Sequence, residues 1–322
     1  MATVETGARL HFGFQNLSLA HERLYGGVGV GLAEPRLTVR AEPAPELVCP
    51  DESVRPYAKE ALAALGLDGA HVTVPERFGR HVGLGSGTQI ALAVLVAVAR
   101  AHDRPVDPRV VAPELGRGGR SGVGVATFES GGFVVDAGHP TERFTTAPPG
   151  PGSWMVPAPI GVWTVPDSWR FLLVIPDGQP GRSGESEDES IRSIVERADA
   201  GIADEIAPLL TRRLLPAVVA GDLGEFGAAV SRLGRLNGAW FADEQGGVYR
   251  PPAAELIEHL ADCPAVVGAG QSSWGPTVYG VTDDRGGGRA VEAAEAALEE
   301  LGIPGSVSLV RASSAGATVD RR

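Results

Sequence analysis

The chain has 322 residues, of which 43% are apolar and 21% charged, as is ordinary for a soluble globular protein of one or two domains. Its net charge of −12 argues against nucleic-acid binding, because basic surface supplies most of that affinity. An anionic ligand would need a locally positive site, built from arginine because Lys59 is the only lysine.

Cysteine content and hydropathy exclude further classes of protein. Cys49 and Cys263 stand in no metal-binding spacing, so we expect neither a zinc site nor a disulfide framework. The N-terminus shows no signal-peptide pattern, and the longest apolar run, 90–99, is far shorter than the roughly 20 residues of a membrane span. We therefore expect a cytoplasmic protein that binds neither membrane nor nucleic acid.

The first half of the chain alternates strand and helix patterns. Alternating polarity predicts strands at 2–14 and 28–42, with Pro35 in a turn between two extended pieces. Helical periodicity follows at 54–66. The half is completed by three further predicted elements: a strand at 71–74, a strongly apolar helix at 86–102 with Ser86 and Gln89 in capping-box spacing, and a strand at 132–136.

Many prolines and glycines at 145–167 predict a junction between two domains, 1–157 and 158–322. Beyond it the pattern predicts a strand, helices, paired strands, a helix and a final strand. The elements are 170–175, 186–235, 277–282, 289–301 and 306–311. This order favours an α+β layer of the ferredoxin-like type in the second domain.

A glycine-rich loop precedes the apolar helix and is the first candidate phosphate site. Glycines allow close backbone approach, and the helix start offers free N–H groups with the positive end of its dipole. Two hydroxyls add donors. The candidate residues are Gly83, Gly85, Ser86, Gly87 and Thr88. A tight turn before a core helix, with Ser86 acting only as a cap, would give the same pattern, so the loop alone leaves both interpretations open.

A second glycine-rich segment lies between two predicted strands near the end of the chain. It gathers glycines, an amide, two hydroxyls and an indole, a density of donors that a simple hairpin turn around Trp274 does not require. The candidate binding residues are Gly268, Gly270, Gln271, Ser272 and Ser273.

Two further regions supply charge and proton-carrying groups. Arg120 and Ser121 stand in a glycine-rich segment whose arginine fork suits phosphate or carboxylate, although a solvated loop is an equal alternative. In the first strand, alternation places Arg9 and His11 on one face, where they could line a cleft; taken in isolation, such a pair is better explained as an exposed strand face. Gly26 and Gly27 open the next strand and are also candidates.

Three residues are candidates for acid/base catalysis. His11 comes first because it shares a strand face with Arg9 and histidine titrates near neutral pH. Asp136 and His139 flank the turn after a strand, where the strand end can direct side chains into a cleft. A turn or capping role is an equal alternative for Asp136 and His139.

The order and spacing of these segments resemble the GHMP kinase superfamily over most of the chain. The Arg9-Leu10-His11-Phe12-Gly13 opening, the Gly26-Gly27-Val28-Gly29 run and the late Gly-Gln-Ser-Ser-Trp-Gly-Pro-Thr segment are similar to the β-ribofuranosylaminobenzene 5′-phosphate synthase branch. The resemblance implies a two-domain GHMP-kinase-like fold, with an N-terminal α/β domain, a C-terminal ferredoxin-like domain and the ligand in the cleft between them.

The resemblance also implies a reaction. Enzymes of this branch join 5-phosphoribosyl diphosphate to 4-aminobenzoate or 4-hydroxybenzoate and release CO₂ and diphosphate, in methanopterin-type cofactor biosynthesis. It implies a phosphoribosyltransferase that uses Mg²⁺, with no pyridoxal phosphate and no nicotinamide, and a possible homodimer; the metal ligands stay unassigned.

Two other functions stay open at this point. An ATP-dependent small-molecule kinase would share the loops, but Gly124 stands where many kinases of the superfamily carry a catalytic aspartate. A non-catalytic phosphosugar-binding protein would also keep the loops and would show no turnover.

Overall fold

The structure, a computed structural model, describes residues 1–145, 150–178 and 185–321, apart from the side chains of 185–188. Strands within these ranges are β1 (Ala2–Asn16), β2 (Arg23–Pro43), β3 (Ala70–Glu76), β4 (Phe133–Asp136), β5 (His139–Pro140), β6 (Pro159–Trp163), β7 (Trp169–Pro176), β8 (Gly268–Gln271), β9 (Val278–Asp283), β10 (Gly305–Val310) and β11 (Thr318–Arg321).

Helices cover the sheets and connect their strands. They are α1 (Arg55–Leu65), α2 (Ser86–Ala101), α3 (Pro108–Val111), α4 (Val123–Ser130), α5 (Glu185–Arg197), α6 (Ala200–Leu209), α7 (Leu215–Ala220), α8 (Leu223–Gln245), α9 (Ala253–Ala261) and α10 (Gly287–Glu300). A 3₁₀ turn lies at Thr141–Arg143, and a π-helical segment, Leu210–Leu214, joins α6 to α7.

The larger of two sheets is built on β1 and β2. Its order is β11-β1-β2-β4-β6, with β3 and β5 also paired to β2. Leu10 and Phe12 point into the core, as the alternation of β1 predicts. Helix α2 is apolar on all sides and almost wholly buried against β1 and β2, since such a helix can be stable only in the interior. The loop that precedes α2 is therefore held at a defined position.

The smaller sheet has the order β10-β7-β9-β8. Helices α9 and α10 pack on it around a second core that includes Leu172, Leu256 and Ala294. Helix α8 packs against β8 and also against β1, so it connects the two sheets. This arrangement confirms the predicted α+β class.

Two local predictions in the first half were wrong. Pro35 lies within the continuous strand β2, at an irregularity where the residues between Gly31 and Arg36 face a much shorter stretch of β1; a residue without an N–H is tolerated where the ladder is interrupted. Ser86 is the first helical residue and not a cap, because Gly85 occupies the N-cap position. Gln89 instead bonds the Thr6 hydroxyl and the Gly124 carbonyl.

The prediction of a loop at 268–271 was also wrong, because these residues form strand β8. Gly268 lies so close to Gly227 of α8 that a Cβ would overlap its backbone. The glycine therefore serves strand-to-helix packing.

The division at residue 157/158 stays a prediction, and residues 146–149 of the expected junction lie outside the described residues. Two strands that follow this position, β6 and β11, pair with β4 and β1 in the larger sheet. In the part of the chain that the structure describes, no helix combines the length and apolar character needed to cross a membrane.

Candidate functional site

A cleft of about 1110 Å³ opens where β1, the loop before α2, the segment before α4 and the late segment meet. Six arginines line it, together with His11, His81 and His139. The arginines are Arg9, Arg80, Arg117, Arg120, Arg143 and Arg192. Among the described lining residues there is no aspartate or glutamate. A chain with a net charge of −12 has thus concentrated positive charge in one cleft, which suits a multiply charged anion.

The loop before α2 forms one wall of the cleft, and each of its five predicted residues lines it. Arg9 holds the loop from β1: its backbone N–H donates to the Leu84 carbonyl at 3.0 Å, and its guanidinium donates to the Gly83 carbonyl at 2.9 Å. Gly85 has a φ of +77° and is the N-cap residue directly before the first turn of α2. The N–H groups of this turn and the helix dipole therefore face the cleft, as an anion site requires.

His11, Ser121 and Asp136 form a hydrogen-bonded line at the base of the cleft. His11 Nε2 lies 3.3 Å from Ser121 Oγ, which donates to Asp136 Oδ2 at 3.1 Å. The backbone N–H groups of Gly122 and Gly138 also donate to this carboxyl, at 2.7 and 2.9 Å. The structure thus joins two predicted catalytic residues through a predicted binding residue.

The proton positions in this line follow from counting donors. Ser121 has one hydroxyl proton, and an ionised Asp136 can only accept it. His11 must then donate its Nε2 proton to Ser121, which leaves Nδ1 as the basic nitrogen of a neutral ring. Asp136 is fully buried, and its pKa is raised to about 6 because burial outweighs the hydrogen bonds of Gly138, Gly122 and Gly27.

His11 is held in the neutral form. Its pKa lies well below the usual value, chiefly because burial penalises the charged ring and further because the Arg9 and Arg120 guanidinium groups repel a second positive charge. A neutral imidazole in a cationic cleft can accept a proton.

His139 is separate from this line. It is buried at the cleft wall, its ring bonds the backbone at Gly118 and Gly119, and its Nε2 has no hydrogen-bond partner among the described residues. Burial lowers the pKa of His139. The structure therefore brings His11 and Asp136 together and leaves His139 at a different wall.

Gly26 and Gly27 do not line the cleft. A Cβ on Gly27 would overlap the Ser121 hydroxyl and lie 2.8 Å from Asp136 Oδ2, so this glycine allows β2 to approach the hydrogen-bonded line. Gly26, with a φ of +76°, packs against the Gln15 side chain. Both glycines therefore allow close packing beneath the site and do not contact the space of the cleft.

Only the last residues of the late segment, 268–275, line the cleft. Ser272 is completely buried: it accepts the His11 N–H at 3.1 Å and donates to the Gly83 carbonyl at 2.8 Å. Gln271 accepts the Arg250 N–H at 2.8 Å. Ser273, whose φ is +54°, lines the cleft and donates its N–H to the His11 carbonyl. The other four predicted residues of this segment therefore connect the walls of the cleft and do not line it. They are Gly268, Gly270, Gln271 and Ser272.

Two arginines form a clamp at the start of α2: Arg80, which the sequence analysis did not predict, and Arg117, which begins the glycine-rich segment that contains Arg120 and Ser121. The guanidinium groups of Arg80 and Arg117 lie 5.7 and 5.5 Å from the centroid of the Tyr57 ring. Arg117 approaches within 3.3 Å of where a Gly87 Cβ would be. The Nε groups of both arginines are buried and have no partner among the described residues. Trp154 bonds the Arg117 carbonyl at 2.9 Å, a contact between segments 37 residues apart that no local pattern reveals.

Comparisons with known proteins identify the family. The GHMP kinases N terminal domain matches residues 54–132, and the GHMP kinases C terminal domain matches residues 214–318. A beta-ribofuranosylphenol 5'-phosphate synthase of Archaeoglobus fulgidus is 38% identical over 298 residues, 89% of this chain and 90% of that protein. The chain belongs to this synthase family.

Other relatives agree with this assignment. The synthase of the same name from Methanothermobacter thermautotrophicus is 32% identical over 98% of this chain and 97% of its own length. Among solved structures, mevalonate diphosphate decarboxylase of Staphylococcus aureus has a TM-score of 0.68 at 10% identity, covering 100% of this chain and 99% of its own. Homoserine kinase of Cytophaga hutchinsonii has a TM-score of 0.66 at 13% identity, with 99% and 97% covered. These structures share the fold.

Proposed function

We propose that the protein is a phosphoribosyltransferase that joins 5-phosphoribosyl diphosphate to a 4-substituted benzoate and releases CO₂ and diphosphate, in methanopterin-type cofactor biosynthesis. The observation that carries the proposal is the cleft itself, in which six arginines and no described carboxylate surround a neutral histidine. The relatives' names specify a phenol product, so 4-hydroxybenzoate is the acceptor to test first and 4-aminobenzoate the second.

The diphosphate of the donor fits the clamp of Arg80 and Arg117 at the start of α2. This end of the cleft combines two guanidinium groups, the helix dipole and free backbone N–H groups. Diphosphate carries the largest charge of the reactants and gains more as it leaves. Donors already fixed in position stabilise that developing charge without reorganising.

The reaction can be written so that bonds and electrons balance. The C1–oxygen bond of the ribose breaks, and its electron pair leaves with diphosphate. The ring carbon that bears the carboxylate attacks C1, and loss of CO₂ returns an electron pair to the ring. For 4-hydroxybenzoate, removal of the phenol proton makes this carbon more nucleophilic, and the proton returns after CO₂ has left.

His11 is the proposed carrier of that proton. In the free protein its pKa is low partly because Arg9 and Arg120 are charged, and anions bound to these arginines would offset their charge and raise it. The base would therefore become stronger when the anionic substrates are in place. Asp136 acts through Ser121 by holding the orientation and tautomer of His11.

The expected Mg²⁺ finds no set of protein ligands in the described cleft. Magnesium is usually bound by one or two carboxylates together with substrate phosphates, and no described group of three His, Cys, Asp or Glu side chains could hold a metal. Asp136 is buried and its oxygens are occupied. The residues present do not fit a protein-held Mg²⁺. The homodimer, the cytoplasmic location and an ATP-binding role also stay predictions.

The deciding experiment incubates the protein with phosphoribosyl diphosphate, Mg²⁺ and carboxyl-labelled 4-hydroxybenzoate or 4-aminobenzoate, and measures labelled CO₂ and diphosphate. Equal amounts of both products are expected. ATP-dependent phosphorylation of a small molecule without CO₂ release would establish the kinase alternative. Tight donor binding without turnover of either acid would establish a phosphosugar-binding protein.

A further inference from the structure

A small side pocket of about 50 Å³ opens beside His11 and is lined mainly by β1, α8 and the segment before α9. It shares His11, Phe14, Ser273 and Trp274 with the large cleft, so the two spaces adjoin at the proposed acid/base residue.

Aromatic rings form its walls. His11 and Phe14 meet edge to face with centroids 5.0 Å apart, and Phe241 and Trp274 do so at 4.9 Å. Tyr249 also lines the pocket, and the non-aromatic part of its wall includes the amide side chains of Asn237, Gln245 and Gln271. None of the described lining residues of this pocket is charged at neutral pH, because the pKa of His11 is held low, in contrast to the arginines of the adjoining cleft. Edge and face contacts of this kind suit a flat, uncharged ring.

The Tyr249 hydroxyl is buried, and no described residue hydrogen-bonds it. It faces Gly234 of α8, where a Cβ would lie 3.6 Å from the Tyr249 oxygen. A buried hydroxyl without a partner costs free energy that a ligand can recover by bonding it. The neighbouring Tyr279 differs, because its hydroxyl donates to the Val230 carbonyl at 3.4 Å and lies outside the pocket.

We propose that this side pocket binds the 4-substituted end of the aromatic acid, with the Tyr249 hydroxyl bonded to its 4-hydroxyl or 4-amino group. The proposal rests on the phosphoribosyltransferase function above and assigns the position of its acceptor.

The size of the pocket decides which end enters. A cavity that encloses a benzene ring measures about 150 Å³, so a pocket of about 50 Å³ accepts the substituent and the adjoining ring edge only. The other end of the ring, with the carboxylate and the attacking carbon, then lies in the large cleft beside Arg9 and Arg120. This orientation presents the nucleophilic carbon to the ribose and keeps the carboxylate among cations.

Tyr249→Phe tests the hydrogen bond alone, and Tyr279→Phe is the matched control. We expect Tyr249→Phe to raise the KM for 4-hydroxybenzoate about tenfold, as when a buried polar group loses its partner, with the KM for phosphoribosyl diphosphate unchanged. Unsubstituted benzoate lacks the 4-group; tested as a competitive inhibitor, it should inhibit wild type and variant equally. A structural defect would weaken both aromatic acids, whereas Tyr279→Phe should change neither.

Gly234→Ala tests whether the acceptor needs the free volume of the side pocket beside Tyr249. The substitution removes no polar group. Its methyl would make ordinary contact with both tyrosine hydroxyls, and alanine stabilises a helix interior relative to glycine, so the variant should fold. We expect the KM for 4-hydroxybenzoate to rise severalfold while the melting temperature does not fall.

Failure of this inference differs from failure of the proposed function. If wild type releases no CO₂ from either aromatic acid, the proposed function is overturned and the acceptor assignment with it. If wild type is active and both variants keep the wild-type KM for 4-hydroxybenzoate, the function stands and the acceptor binds elsewhere. Equal loss of benzoate and 4-hydroxybenzoate binding in Tyr249→Phe would also overturn the assigned hydrogen bond.

Discussion

The loop before α2 and the late segment at 268–275 look alike as sequences, since both combine glycines with hydroxyl donors, but the structure uses them differently. In the first, Gly83 and residues 85–88 line the cleft at the start of a helix. In the second, β8 buries its polar groups against neighbouring segments, and only residues from Ser273 onward reach the cleft.

The contrast shows what makes a glycine-rich segment a binding site. Glycine density reports close approach of the backbone to something, which can be a ligand or another part of the chain. At Gly85 the approach leaves N–H groups facing the cleft, whereas at Gly268 the space is filled by α8. Substitutions in the first segment should therefore weaken donor binding, whereas substitutions in the second should lower stability.

The largest effect is expected at His11, where both segments meet. Positioned acid/base catalysis is worth roughly 10² to 10⁴ in rate. His11→Asn should lower the rate of CO₂ release by at least about 10² and leave the affinity for phosphoribosyl diphosphate within a few-fold. His259→Asn, on the surface, is the control. Unchanged turnover would remove His11 from the mechanism, and lost affinity at an unchanged saturated rate would make it a positioning residue.

Gly85→Val probes the first loop directly. Valine resists a φ of +77°, and its Cβ would lie 2.8 Å from the Arg9 side chain, so donor affinity should fall by about 10². Gly66→Val is the matched control, because Gly66 also has a positive φ but no described atom would lie within 4 Å of its Cβ. Calorimetry of donor binding that gave equal losses for the two variants would assign the effect to general strain.

Arg117→Ala measures the contribution of the clamp formed by Arg80 and Arg117. Loss of a charge-assisted contact to phosphate should weaken donor binding by about tenfold or more. Arg213 forms an exposed ion pair with Glu225 and does not line the cleft, so Arg213→Ala should leave binding almost unchanged. Titration at fixed salt compares the two, and equal losses would show that Arg117 is not a ligand.

Ser272→Ala probes the second segment, where stability is expected to change and binding is not. It leaves the His11 N–H without its buried acceptor and removes one of the two side-chain donors to the Gly83 carbonyl, which costs about 1–3 kcal/mol. Denaturant unfolding should show this loss, with the donor KM within a few-fold of wild type. The exposed Ser314→Ala should change neither. Normal stability with lost donor binding would return Ser272 to the ligand site.

The last prediction concerns the pH dependence of stability at Asp136, a single titrating group. Its pKa is raised from 3.8 in the unfolded chain to about 6 in the folded chain, so the folded chain holds this proton more tightly. The resulting stability is fully present below the unfolded pKa and is lost as pH rises through about 6. Relative to Asp136→Asn, which does not titrate, wild type should lose about 3 kcal/mol between pH 3 and pH 8. A difference that stays constant with pH would contradict the raised pKa.

Local pattern determined most of the elements of this protein. The alternation of β1 predicted which face carries Arg9 and His11, and the apolar composition of α2 predicted a buried helix behind a glycine loop; both are confirmed. These features depend on residues two to four positions apart, which the sequence displays directly. The motif order likewise sufficed to predict the family.

Only the tertiary structure decided which groups share the cleft. Whether Ser272 bonds a ligand or Gly83, whether Arg80 and Arg117 stack on one tyrosine, and whether Asp136 reaches His11 through Ser121 all depend on segments that are 15 to 189 residues apart. Hydroxyls and guanidinium groups bind whichever partner is nearest after the core has formed. Because packing of the apolar residues sets those distances, the polar contacts cannot be read from the local pattern.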